Sequence, residues 1–264
     1  MATLLVDQSP RTAPALGMLV AQTKAELLKL WRVPAFSIFS MAFPVVLYAF
    51  FGLPNGGAVS NGVNVGAIIL ASLATYGVVS VMLFSFGIGL ANERAQRMHV
   101  LMRATPLPGW VYLSSRVITA LAFALAVQLV LFVFGAVAGG VHLSASHWAL
   151  LVVTLLLGSL PFVALGFGIG YSVSPNVAPA VVNLLFLPLS FASGLFVPLD
   201  SMPTVIQNIA PYLPTYQLGR LAWSIVGVNE PNLDAAIRAL AIYAAIFVLF
   251  GLRAYGREET KDFG

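Results

Sequence analysis

Residues 117–199 read VITALAFALAVQLVLFVFGAVAGGVHLSASHWALLVVTLLLGSLPFVALGFGIGYSVSPNVAPAVVNLLFLPLSFASGLFVPL, and none of these 83 side chains is Asp, Glu, Lys or Arg. No soluble core requires so long a neutral run. A second charge-free run covers residues 33–92. Over all 264 residues, 59% are apolar and only 8% charged. A soluble domain carries about 25% charged residues, so this chain could not cover its own surface in water. It reads as an integral membrane protein.

In lipid every backbone polar group must be satisfied within the protein, which leaves helices or a closed barrel. Barrel strands alternate over about ten residues. The apolar runs here are longer and do not alternate, so the expected fold class is all-α and polytopic. A spanning helix needs about 20 residues to cross about 30 Å of hydrocarbon. Six are expected, at residues 34–53, 63–91, 110–138, 147–171, 177–197 and 235–252. Pro44, Pro161, Pro179 and Pro188 fall inside them and are read as kinks whose freed carbonyls neighbouring helices satisfy. The first apolar run follows a mixed charged stretch and lacks a small-residue cleavage site, so it is read as a retained helix.

Basic residues set the orientation. Arg11, Lys24, Lys29 and Arg32 precede the first span. Arg94, Arg97, Arg103 and Arg116 surround the second connection, and Arg253, Arg257 and Lys261 follow the last span. These are 11 of the 13 basic residues, with Arg220 and Arg238 on the other side. Both termini are therefore expected in the cytoplasm. The connection at residues 172–176 carries no charge to mark its side. The net charge of +4 sits at the ends of apolar segments, which points to anionic lipid headgroups rather than nucleic acid.

Two further segments stand out. Leu16, Leu19, Val20, Thr23, Leu27, Leu30 and Trp31 recur at helical spacing, with Gln22, Glu26 and Lys29 on another face. Residues 15–32 are expected to form an amphipathic helix in the membrane interface. Residues 198–233 are too apolar for a solvated loop and are broken by Pro203, Pro211 and Pro214. They are expected to form short helices that dip back toward the membrane. The tetrapeptide Phe-Gly-Ile-Gly occurs at residues 86–89 and 167–170. Small residues at such spacing let helices approach closely.

Enzyme signatures are missing from the sequence. His99, His142 and His147 show no paired-ligand spacing, and there is no Gly-x-Ser-x-Gly elbow. Cysteine is absent, which excludes disulfides, thiolate metal sites and cysteine nucleophiles. A P-loop needs Gly-Lys before Ser or Thr. Lys24, Lys29 and Lys261 follow Thr23, Leu28 and Thr260, so ATP-driven work would need another polypeptide. No acid lies centrally in an expected span, which argues against proton coupling. Gln128 and Asn183 are the strongest polar groups within spans. They are read either as substrate contacts or as interhelical hydrogen-bonding groups.

Two stretches resemble a known family. The first is Asn92-Glu93-Arg94-Ala95-Gln96-Arg97-Met98-His99-Val100-Leu101-Met102-Arg103-Ala104-Thr105-Pro106-Leu107, followed by Arg116. It is similar to the Glu-Arg-Glu…Leu…Thr-Pro-Leu…Lys signature after the second span of type-2 ATP-binding-cassette (ABC) exporter permeases. The second is Ser193-Gly194-Leu195-Phe196-Val197-Pro198-Leu199-Asp200-Ser201-Met202-Pro203, then Ile206, Ile209 and Leu213-Pro214-Thr215-Tyr216. It resembles the segment after the fifth span, most closely that of drug and antibiotic exporters. The sequence departs from the family where Ala95 replaces a second acid, Arg97 stands near a usual glycine, Arg116 replaces lysine and Leu213 replaces asparagine.

The resemblance implies a single permease domain over residues 1–264, with a coupling connection at 92–109. It implies an ATPase contact through Glu93, Arg94, Arg97, Leu101, Met102, Arg103, Thr105 and Pro106. It implies a substrate path near Asn183, Phe186 and Gln128, and an outer re-entrant segment bearing Pro198, Asp200, Pro203, Pro214 and Tyr216. The implied partners are an ABC ATPase subunit that carries ATP-Mg, a second permease copy (the same chain or a paired one), membrane lipid and a hydrophobic or amphipathic small molecule. No cofactor is expected on this chain, and the expected location is a bacterial cell membrane. A polysaccharide or glycolipid exporter stands as an alternative within the class. An ion-coupled carrier or a non-transporting scaffold stands outside it.

Overall fold

The computed structural model describes residues 14–32, 34–96 and 107–262. The expected first span appears as α2 (Pro34–Phe51), preceded by α1 (Ala15–Arg32). A tight hairpin follows, pairing β1 (Val59–Ser60) with β2 (Val63–Asn64). Its turn is Asn61-Gly62, with φ of 50° and 81°, the left-handed pair that matches strand twist in a two-residue loop. Asn64 then caps the next helix, its Oδ1 accepting from the Ala67 N–H at 3.0 Å.

That helix is α3 (Val65–Leu83), which continues through a π-helical turn at Phe84–Ile88 into α4 (Gly89–Ala95). The expected boundary at residue 91 is thus too short. The π turn left no mark in the hydrophobic pattern, because it changes hydrogen-bond register without changing polarity. Helix α5 spans Gly109–Val137, close to expectation. The fourth expected span is two helices, α6 (Ala145–Gly158) and α7 (Leu160–Ser172). Pro161 is the cause: it cannot donate to the helical ladder, and Ser159 both ends α6 and begins α7.

Helix α8 runs Ala178–Ala192 and ends five residues before the expected 197. It stops where Gly194 adopts φ of 74°, the left-handed conformation that commonly ends helices. Short turns lead to α9 (Thr204–Ile209) and α10 (Pro214–Ile225). The last helix, α11, runs from Leu233 to Asp262, well past the expected 252.

The architecture is helical and membrane-embedded, with a two-residue ladder as a minor addition. Among the described residues, four segments are long and apolar enough to cross a membrane: Val65–Ala95, Gly109–Val137, Ala145–Ser172 and Leu233–Arg257. The apolar parts of α2 and α8, Ile38–Phe51 and Ala178–Ala192, are shorter. Helix α3 is the hub, with 83% of its most apolar stretch buried against 17% for the last helix. It packs on α2, α5, α7 and α10. The outward face of α11 shows Ile237, Ile242, Ile246, Leu249 and Leu252, an apolar surface suited to lipid chains.

Close packing at two places depends on glycine. The two Phe-Gly-Ile-Gly segments lie against each other: a Cβ on Gly166 would sit 2.9 Å from Phe86 Cβ, and one on Gly170 would strike the Phe86 carbonyl. At the other end of α3, the fully buried Tyr48 ring is caged by Gly52 and Gly139, either of which would collide with it if given a Cβ.

Candidate functional site: a buried acid at the end of the hub helix

Glu93 lies near the end of the hub, on the last full turn of α4. Ser85, Gly89 and Glu93 recur at four-residue spacing and face α5, which presents Tyr112 and Arg116 one turn apart. Glu93 Oε1 accepts from Lys29 Nζ on α1. Its Oε2 accepts from the Tyr112 hydroxyl at 2.6 Å and from Arg116 Nη1. Arg116 Nη1 also donates to the Tyr112 oxygen at 3.1 Å, while Nη2 donates to the Ser85 carbonyl at 2.6 Å. That carbonyl belongs to the π turn, where the regular ladder is interrupted. The guanidinium also lies over the Phe86 ring, 5.4 Å from its centre.

Sequence explains the fit locally. Arg116 reaches Ser85 because Gly89 has no side chain: a Cβ there would lie 2.8 Å from Nη2. Glu93 is 8% exposed and Arg116 7%. The Lys29 partner is half exposed, at 52%. Burying an ion pair costs desolvation that the attraction must offset, and it does so only when the remaining hydrogen-bonding capacity is also met. Here the acid has three donors, and the guanidinium has a carboxylate, a hydroxyl and a carbonyl, while its Nε is buried without a partner among the described residues.

Arg94, the next residue, points the opposite way. Its Nη1 donates to the Gly170 carbonyl at 2.7 Å and to that of Val173 at 3.4 Å. Both belong to the end of α7, and the guanidinium lies 5.2 Å from the Tyr171 ring centre. The structure thus brings together α1, α4, α5 and α7 at one end of the bundle. Among the described residues, no three metal-ligating side chains gather.

The remaining candidate residues are placed as follows. Arg97, Leu101, Met102, Arg103, Thr105 and Pro106 lie outside the described residues. Asn183 is exposed on α8, its Nδ2 donating to the Pro179 carbonyl of its own helix at 2.8 Å. Phe186, three residues on, is fully buried and stacks on Tyr76 with ring centres 4.8 Å apart. Gln128 is fully buried in α5, and neither polar atom of its side chain has a hydrogen-bond partner among the described residues. These three do not share a surface.

Pro198 and Pro203 start short helical turns, Asp200 is exposed between them, and Pro214 opens α10. Tyr216 packs edge-on against Trp223. Sequence reasoning missed Tyr112 and Ser85 and left Lys29 without a partner. One available signal was the polar face Gln22-Glu26-Lys29 on α1, which in the structure turns toward the bundle.

Comparison with known proteins agrees with this geometry. Residues 19–222 match the family model described as ABC-2 type transporter. The Bacillus subtilis (strain 168) protein named "Putative transport permease YvfS" is 30% identical over 245 residues, which cover 93% of this chain and 100% of that protein. The match begins within α1, takes in the buried acid and its partners, and runs through α10. A chain with that span, an apolar helical body and a charge-locked helix end belongs to the ABC-2 type transporter family, as the membrane subunit of an ABC transporter.

Proposed function

We propose that the chain is the permease of an ABC exporter that moves a hydrophobic or amphipathic small molecule out of the cytoplasm, driven by a separate ATPase subunit. The observation that carries this reading is the Glu93 joint. The amphipathic α1 and the start of the second connection are the parts that the family resemblance assigns to the ATPase. Lys29, Glu93 and Arg116 fasten these two parts to each other and to α5. A push on the connection is then delivered to three helices at once.

The reading includes six spans with both termini in the cytoplasm. Helix α2 has 18 residues, about 27 Å at 1.5 Å per residue. Helix α8 has 15, about 22 Å, short of the roughly 30 Å core. It is completed by the segment that follows it. Trp223 of α10 donates to Ser72 at 2.8 Å, eight residues into the hub from its cap. That depth, about 12 Å at helical rise, supports a re-entrant segment over residues 198–233.

The reading also includes a dimer. On α8, Asn183, Leu184, Leu187 and Phe191 are exposed together. An amide is costly against lipid chains, which supports a second permease copy or a wet path over that face. Copurification from membranes is the test. A bound ATPase subunit and ATP-dependent uptake of amphipathic dyes into inverted vesicles are the expected results. Recovery of the permease without an ATPase, with transport indifferent to ATP, would overturn the reading.

A further inference from the structure

Glu93 and Arg94 are neighbours in sequence, yet they grip opposite halves of the bundle. Glu93 holds α1 and α5. Arg94 holds the last carbonyls of α7, which a helix end leaves without intrahelical donors. The carbonyls just before them are taken locally: Gly168 by the Ser172 hydroxyl and Ile169 by the Val173 N–H. Arg94 Nη1 bridges those of Gly170 and Val173.

The contact continues beyond α7. The Tyr171 ring under the guanidinium meets Tyr255 of α11 edge-on, with centres 5.2 Å apart. Phe167 touches both rings. One turn away, Phe250 of α11 fills the notch at Gly168, where a Cβ would collide with its ring. Helices α7 and α11 are therefore one packed unit at this end, and Arg94 is its link to α4.

We propose that Arg94 is a positioning residue that carries movement of the coupling connection to the α7–α11 pair, separately from the Glu93 arm that serves α1 and α5. The proposal rests on the coupling reading above. Arginine suits the task because its planar guanidinium can rest its face on an aromatic ring while one edge nitrogen, Nη1, engages two carbonyls.

This chain has no cysteine, so an introduced thiol is the single one on the permease, and labelling is read on the permease band alone. The complex with its copurifying ATPase would be placed in nanodiscs. Maleimide labelling rates would be read without nucleotide and after trapping with Mg-ATP and orthovanadate. Asn176→Cys, at an exposed position beyond α7, reports on one arm. Ala21→Cys, exposed on α1, reports on the other.

With Arg94 and Glu93 intact, trapping is expected to change the rate at both thiols. Arg94→Gln is expected to abolish the change at Asn176→Cys and preserve it at Ala21→Cys. Glu93→Gln is expected to do the reverse. Loss at both sites in Arg94→Gln, or at neither, would overturn the proposal. If trapping changes neither thiol in the parent complex, the coupling reading itself fails. Should Arg94→Gln not assemble, Arg94→Lys keeps the charge but not the planar group that rests on Tyr171: a reduced response at Asn176→Cys supports the proposal, and an undiminished one overturns it.

Discussion

The two ends of the hub helix are fastened by different chemistry. At the Glu93 end, ionised groups reach across the chain: Lys29 is 64 residues from Glu93, and Arg94 bonds a carbonyl 76 residues away. At the Trp223 end, about 30 Å along the helix at 1.5 Å per residue, the fastenings are neutral and small. Trp223 donates to Ser72, Ser193 pairs with Thr215, and Tyr48 sits in its glycine cage. The one ion pair there among the described residues, Arg220 with Glu230, is local, ten residues apart at 2.8 Å. Charge at low exposure makes a joint that fails as a unit when one member is lost. Hydroxyl bonds and shape make a joint that weakens by increments.

The largest expected effect tests the first half of that contrast. Glu93→Ala leaves Arg116 buried without its counter-charge, and breaking a buried pair from one side costs about 3–5 kcal/mol. Thermal unfolding of the detergent-solubilised chain should show it, and the double change Glu93→Leu with Arg116→Leu should recover most of the loss. A single variant as stable as the parent would show that the joint is not electrostatic.

Gly139→Ala comes next, because the new methyl meets the Tyr48 hydroxyl and the Gly135 carbonyl. Overpacking of this kind costs about 1–3 kcal/mol, readable in the same melts. Trp223→Phe removes one hydrogen bond between helices, for which membrane proteins average about 0.6 kcal/mol and reach about 1.7. A loss as large as that of Glu93→Ala would erase the distinction between the ends. Asn183→Leu should change protomer stability by less than about 0.5 kcal/mol, since its donor serves only its own helix. Its effect belongs in transport, as a shift of preference among dyes rather than an equal loss for all.

What was legible in the sequence follows the same division. Membrane embedding and the approximate places of the apolar helices come from composition and run length, and these match the structure. The break at Pro161 was visible as a residue but was read as a kink, because proline alone does not say whether neighbours restore the ladder. The early end of α8 was signalled by Ser193-Gly194, yet the apolar run through Val197 concealed it. The π turn was illegible, since Phe84–Ile88 has the same polarity in either register.

At the site, Glu93 and Arg116 were marked by resemblance. Their pairing was not, because nothing local links positions 23 residues apart. Nor does a run of sequence say that Glu93 faces α5 while Arg94 faces α7. That division depends on which neighbours the hub already has on each side.

The order in which the joint is synthesised has a consequence for how the chain enters the bilayer. Arg116 is buried near the start of an apolar helix, and an arginine held away from water is the sort of side chain that resists insertion. Glu93 leaves the ribosome 23 residues ahead of it, roughly one to five seconds earlier at the usual pace of translation. Lys29 is made earlier still. The arginine-bearing helix therefore reaches the membrane after the acid that neutralises it, and the acid after its first base, so neither Glu93 nor Arg116 has to be delivered to the membrane before a counter-charge exists to receive it.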